Sequence, residues 1–77
     1  MRLILYGRRN CHLCDDMARE LAALGVVASV TDVDADPALE EKFGDRVPVL
    51  VGPDGDEICH GRLDRIALTG MLGSPGA

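Results

Sequence analysis

Hydrophobic and polar positions along this chain fall into short blocks, and the period of each block assigns an element. Leu3-Ile-Leu-Tyr6 is a continuous apolar run ended by Gly7, which predicts a buried strand. After a loop at Gly7–Asn10, apolar residues recur at Leu13, Met17, Leu21 and Leu24, with Cys14 and Ala18 beside them. Spacing of three and four predicts one stripe of a helix. Asn10 is its expected N-cap, Asp15 and Asp16 complement the dipole in the first turn, and Gly25 closes it. Val26–Val33 is rich in β-branched residues and predicts a second strand.

Asp36-Pro37 pairs an N-cap with proline at the first helical position, Leu39 and Phe43 form the apolar face, and Gly44 ends this short helix. Val47–Val51 predicts a third strand with Pro48 at its second position. Gly52-Pro-Asp-Gly55 is a turn signal, and Asp56–His60 returns as the hairpin partner. From Arg62 to Leu72, apolar residues at Leu63, Ile66, Ala67 and Met71 predict a third helix, and residues 73–77 a frayed tail.

The order is βαβαββα. A strand–helix–strand start implies a parallel pair with a right-handed crossover, and the closing hairpin adds two antiparallel strands. A mixed sheet of four strands with helices on both faces, α/β in class and one domain over 1–77, satisfies this order. In this topology the start of the third strand lies beside the end of the first. That places Pro48 opposite the loop that carries Cys11. A cis Val47–Pro48 bond there leaves the Val47 N–H and C=O free to pair with a bound thiol peptide.

Composition narrows the function. With 77 residues the chain has one small core. A net charge of −5, one Tyr, one Phe and no Trp argue against a nucleic-acid partner, which calls for a basic stripe or a stacking platform. No apolar run approaches the length of a membrane span. The apolar start before Gly7 is too short for a signal peptide, so a cytoplasmic location is expected.

Three cysteines, an odd number, suit a disulfide scaffold badly. Cys11 and Cys14 are separated by His12-Leu13 and open the first helix. A thiol at a helix N-terminus meets free backbone N–H groups, which lower cysteine pKa to roughly 3.5–7.5. Cys14 lies one turn on, on the same face, so it can resolve a mixed disulfide formed on the more exposed Cys11. His12, when protonated, and Arg8 and Arg9 add positive charge nearby. Five of the eight basic residues, Arg8, Arg9, Arg46, Arg62 and Arg65, fall at this end of the topology and imply an anionic partner. The same dithiol admits a second class, a module in which Cys11 and Cys14, with Cys59 or a histidine, bind a soft metal or an iron–sulfur cluster. A third class is a non-catalytic interaction domain.

These features resemble the thioredoxin superfamily, and most closely the small glutaredoxin-like proteins of bacteria. The resemblance rests on Cys11-His-Leu-Cys14 after the first strand, on Arg46-Val-Pro48, and on His60-Gly-Arg-Leu-Asp64 before the last helix. It implies a thioredoxin-like fold with strand order 2-1-3-4 and thiol–disulfide exchange, with Cys11 attacking and Cys14 resolving. It further implies that Arg8, His12, Leu13, Val47, Pro48, Gly61 and Asp64 contact the substrate. No resident cofactor or metal is implied. Glutathione enters as a co-substrate, the partner is glutathione or a disulfide-containing protein, and the protein is a monomer. Two departures stand out: His12-Leu13 replaces the usual Pro-Tyr, and His60 replaces the first glycine of a Gly-Gly-x-x-Asp motif.

The remaining chemistry-bearing residues have plainer expectations. Cys59 and Met17 are expected as buried apolar fillers, as is Met71. Asp32, Asp34 and Asp36 read as a strand end and a helix cap, because the spacing of a calcium loop is absent.

Overall fold

The computed structural model describes residues 3–71. Four strands, β1 (Leu3–Gly7), β2 (Ala28–Asp32), β3 (Val49–Val51) and β4 (Glu57–His60), form one sheet in the order β2-β1-β3-β4. Three helices, α1 (His12–Ala23), α2 (Pro37–Phe43) and α3 (Arg65–Met71), cover it. β1 pairs with β2 in parallel and with β3 antiparallel, and β3 pairs antiparallel with β4. The expected βαβαββα order and strand order 2-1-3-4 are what the chain adopts.

Alternation along β1 divides the core in two. Leu3 and Leu5 join Met17 and Leu21 of α1, Leu50, Cys59 and Leu68 of α3 in one cluster. On the other face Val33, Phe43, Val49 and Val51 form a second, flanked by Tyr6, Leu39 and Val47. Tyr6 and Phe43, the only two aromatic residues, stack with ring centroids 4.4 Å apart. Each large apolar side chain buried in this way contributes about 1.5–3 kcal/mol against exposure.

Local chemistry sets the element ends. Val26 N–H donates to the Leu21 carbonyl and Gly25 N–H to the Ala22 carbonyl, with Gly25 at φ 74°. This reciprocal pair of bonds through a left-handed glycine closes α1. Asp36 Oδ1 accepts the Ala38 N–H at 2.9 Å ahead of Pro37, and Asp32 Oδ1 accepts the Asp34 N–H. The acidic run at 32–36 is therefore two caps in succession, the first on a 3-10 turn at Val33–Ala35. Gly55, at φ 87°, returns its N–H to the Gly52 carbonyl and turns the β3–β4 hairpin.

Several expectations are corrected. Cys11, not Asn10, caps α1, because Asn10 adopts a left-handed φ of 58° and turns the chain one residue before the cap. β2 starts at Ala28 rather than Val26, since Val26 closes the C-terminal motif of α1; it ends at Asp32, which turns into the 3-10 segment. β3 begins at Val49; a 3-10 turn at Gly44–Arg46 leads into Val47 and Pro48. α3 starts at Arg65, not Arg62. Leu63 therefore precedes the helix, and Leu68 sets the buried phase while Ile66 is 87% exposed. Leu24, at the C-cap of α1, is exposed as well. The Met71 side chain, Leu72 and the expected tail at 73–77 lie outside the described residues.

Among the described residues, no helix is long and apolar enough to cross a membrane.

Candidate functional site

β1 delivers the chain to the end of the sheet at Gly7, and the left-handed Asn10 swings it back so that Cys11 caps α1. Cys11 is extended (φ −102°, ψ 106°), and its Sγ accepts the Cys14 N–H at 3.1 Å. Helix N-termini leave such N–H groups without intrahelical partners, and here sulfur takes the place of the usual side-chain oxygen. Cys11 and Cys14 are joined in a disulfide, with Cα atoms 5.2 Å apart. Cys11 is partly exposed, whereas Cys14 is buried.

Cys14 lies on the backbone of Gly7. A Cβ at position 7 would stand 3.1 Å from the Cys14 Sγ and 3.2 Å from its Cβ. Gly7 thus provides a close approach that the sequence reading assigned only to strand termination. Pro48 occupies the neighbouring strand at this end, since the register pairing Tyr6 with Val49 leads next to Gly7 and Pro48. Pro48 is fully buried, and the Val47–Pro48 peptide bond is cis. The Pro48 carbonyl accepts the Gly61 N–H at 2.8 Å, which ties the β4–α3 loop to the same place. The Val47 side chain packs with the second core cluster, on the far face from Cys14. Its N–H and C=O precede the β3 ladder and enter none of the turn, cap or loop bonds among the described residues.

The other expected contacts are distributed as follows. Leu13, 43% exposed, and Gly61 line a groove of about 280 Å³ between α1 and the β4–α3 loop, together with Met17, Arg62 and Leu63. His12 is exposed, and its Nε2 lies 3.5 Å from Asp16 Oδ2, one turn along α1. Asp64 Oδ1 accepts the Ala67 N–H at 3.0 Å and caps α3. The Arg8 Nη2 is 3.3 Å from Asp34 Oδ1. Arg46 donates to Glu57. Two of the five clustered arginines are therefore partly neutralised by Asp34 and Glu57. A second groove, about 460 Å³, runs from Arg8, Arg9 and Gly7 past Cys14 and Ala18 to Val30 on the free edge of β2.

Cys59 belongs to the first core cluster. Burial pushes its thiol pKa up, and the charges of Asp64 and Glu57 add to that against a hydrogen bond from the Asp64 backbone. Among the described residues no three His, Cys, Asp or Glu side chains are grouped to hold a metal ion. The chemistry that remains is that of a vicinal pair, one sulfur accessible and one enclosed, able to exchange two electrons by opening and closing a single bond.

The fold and the cysteine pair at the start of α1 define a thioredoxin-type protein. Residues 2–73 match the family described as Glutaredoxin-like domain (DUF836), and the chain belongs to that family. It is similar to the protein XcR50 of X. campestris, known from an X-ray structure, with 40% identity over 95% of this chain and 99% of that one and a TM-score of 0.77. Similar too is protein Ne2328 of Nitrosomonas europaea, with 34% identity over 94% and 86% of the two chains and a TM-score of 0.76. A buckwheat glutaredoxin in complex with glutathione shares the fold at 19% identity, over 92% of this chain and 69% of that one, with a TM-score of 0.61. No curated protein matched the chain.

Proposed function

We propose that this protein is a glutaredoxin-like thiol–disulfide oxidoreductase. One observation carries the proposal: Cys11 Sγ caps α1, accepts the Cys14 N–H at 3.1 Å and is bonded to Cys14. In the reduced protein the same N–H and the helix dipole favour a thiolate at Cys11 over a thiol. That thiolate attacks one sulfur of a substrate disulfide, forms a mixed disulfide and expels the other sulfur as a thiolate. Cys14, deprotonated in turn, attacks Cys11, closes the internal disulfide and releases the second substrate thiolate. The substrate gains two electrons and, from solvent, two protons; the protein loses two of each. A thiol donor such as glutathione reverses the sequence and reduces the pair.

The Val47 main chain and Pro48 provide the surface against which the substrate segment lies beside Cys11. Leu13 and Gly61 flank that surface through the α1 groove. Arg8 contributes its charge only in competition with Asp34, and His12 only in competition with Asp16. Asp64 acts chiefly as the α3 cap. The substrate is a protein disulfide or a glutathione mixed disulfide, and the protein works as a monomer in a reducing cytoplasm.

The deciding experiment is a titration of the purified protein in glutathione redox buffers, quenched by alkylation and read by intact mass. An internal disulfide, or a glutathione adduct on Cys11, within the cytosolic range of potential is the expected result. Thiols that stay reduced, with added mass under native conditions, would replace exchange by metal binding.

A further inference from the structure

On the α2 side of the β3–β4 edge, three side chains converge that the exchange steps above do not use. Arg46 Nη1 donates to Glu57 Oε1. The other carboxylate oxygen, Oε2, is 2.9 Å from His60 Nδ1. Arg46 Nη2 also donates to the Lys42 carbonyl at 3.4 Å, and its guanidinium carbon stands 5.8 Å from the Phe43 ring centroid. Burial raises the Glu57 pKa, but the hydrogen bonds and charges of His60 and Arg46 outweigh that and hold the carboxyl below its ordinary value.

Chain position gives this cluster its meaning. Arg46 immediately precedes Val47-Pro48, and His60 immediately precedes Gly61. Gly61 N–H in turn holds the Pro48 carbonyl at 2.8 Å. Val47 is thus bracketed by two ties to β4 and the loop after it, one through the Arg46 side chain and one through the Pro48 carbonyl. Its own N–H and C=O lie ahead of the β3 ladder, so the sheet does not fix them directly. Half-exposed ion pairs add little to global stability. A tie of this kind acts on where residues 46–48 lie rather than on whether the chain folds.

We propose that Arg46 and Glu57, with His60 holding the second carboxylate oxygen, are positioning residues that fix the Val47 main chain for pairing with the disulfide-bearing segment of a substrate. The inference rests on the exchange function proposed above. Neither residue meets the reacting sulfurs, so the clamp governs substrate binding and leaves the chemical step alone.

Arg46→Gln and Glu57→Gln, singly and together, test this against wild type with a peptide disulfide as substrate. Each single variant raises KM by roughly three- to tenfold with kcat unchanged, and the double is no worse than the worse single, because both act through one link. Without substrate, the Val47 amide hydrogen exchanges faster in both variants while the Leu50 amide keeps its rate. The alkylation rate of reduced Cys11 does not move. Unchanged KM, or KM increases that multiply in the double variant, overturns the clamp. So does equal acceleration at Val47 and Leu50, which marks general loosening. Should a Gln variant fail to fold, Glu57→Asp, one methylene shorter, carries the same comparison. Wild-type protein with no turnover refutes the exchange function and the clamp with it; wild-type turnover with insensitive variants refutes the clamp alone.

Discussion

Gly7 shows how one absent side chain shapes a reactive pair. Cys14 is a helical residue resting on the end of β1, and a glycine there lets its sulfur lie this close without displacement. Gly7→Ala places a methyl 3.1 Å from the Cys14 Sγ and 3.2 Å from its Cβ, so the helix start must shift. Overpacking of this kind costs about 1–3 kcal/mol. Chemical denaturation is expected to show that loss, and quenching during turnover is expected to catch more mixed disulfide on Cys11, because the resolving sulfur is displaced. Wild-type stability and wild-type resolution in G7A would mean that Cys14 does not depend on this contact. The two cysteines themselves make the sharper pair of variants. Cys11→Ser removes exchange altogether, whereas Cys14→Ser stops it after the first step and accumulates mixed disulfides, both visible by intact mass. Full activity in C11S would reassign the attacking sulfur. The cysteine pair was legible in the sequence because spacing and helix phase define it. The role of Gly7 was not, since a glycine that ends a strand reads the same whether or not anything packs on it.

At the scale of elements, caps decided what periodicity left open. The resemblance implies that Asp64 contacts the substrate, yet its carboxylate takes the Ala67 N–H and starts α3. If capping is its main task, Asp64→Ala costs about 1 kcal/mol of stability, and Asp64→Asn, which still accepts that bond, costs much less. Paired measurement of melting and of glutathione affinity separates the two tasks; an affinity that falls in D64N with stability kept would assign Asp64 to the ligand. Periodicity named all seven elements and their order correctly, because the buried faces of β1, α1 and β3 are unbroken. It misplaced α3 by three residues, since Leu63 fits a helical stripe although it lies in the loop before the cap. It also missed the Arg46–Glu57–His60 link, which joins a turn to a strand eleven residues on and leaves no local pattern. That link carries its own pH signature. The Glu57 carboxyl is held below its ordinary value of 4.5, so its contribution is complete above 4.5 and drains away as pH falls through the lowered folded value. Wild-type protein should therefore lose more melting temperature than Glu57→Gln between pH 5 and about pH 3. Parallel curves for the two proteins would mean that the pair adds nothing to stability.

For the molecule as a whole, the question is which charge an approaching substrate feels. The net charge of −5 repels anions at long range. Arginines at the Cys11 end attract them at short range, but Asp34 engages Arg8 and Glu57 engages Arg46. Among the described residues Arg9, Arg62 and Arg65 form no ion pair. Arg9 and Arg62 line the two grooves beside the cysteine pair. Asp15 and Asp32 line the groove that holds Arg9, and Asp16 and Glu20 the one that holds Arg62, so acids oppose both arginines locally. Range decides between the two fields. The described fold is 40 Å in its longest dimension, while at 0.1 M salt the screening length is about 10 Å. Acids at the distal end are therefore largely screened, and the charges at the cysteine end, where Arg9, Arg62 and Arg65 stand outside any ion pair among the described residues, set the field an anion meets. The bimolecular rate with an anionic disulfide such as oxidised glutathione should fall as salt rises from about 0.1 to 0.5 M. With a neutral aliphatic disulfide it should stay flat. Replacing Arg9, Arg62 and Arg65 together with glutamine should remove the salt dependence for the anion and leave the neutral substrate unaffected. Stopped-flow rates across that salt range distinguish the cases. A rate that rises with salt would mean that the overall negative charge prevails even at the site, and that the physiological disulfide is not an anion.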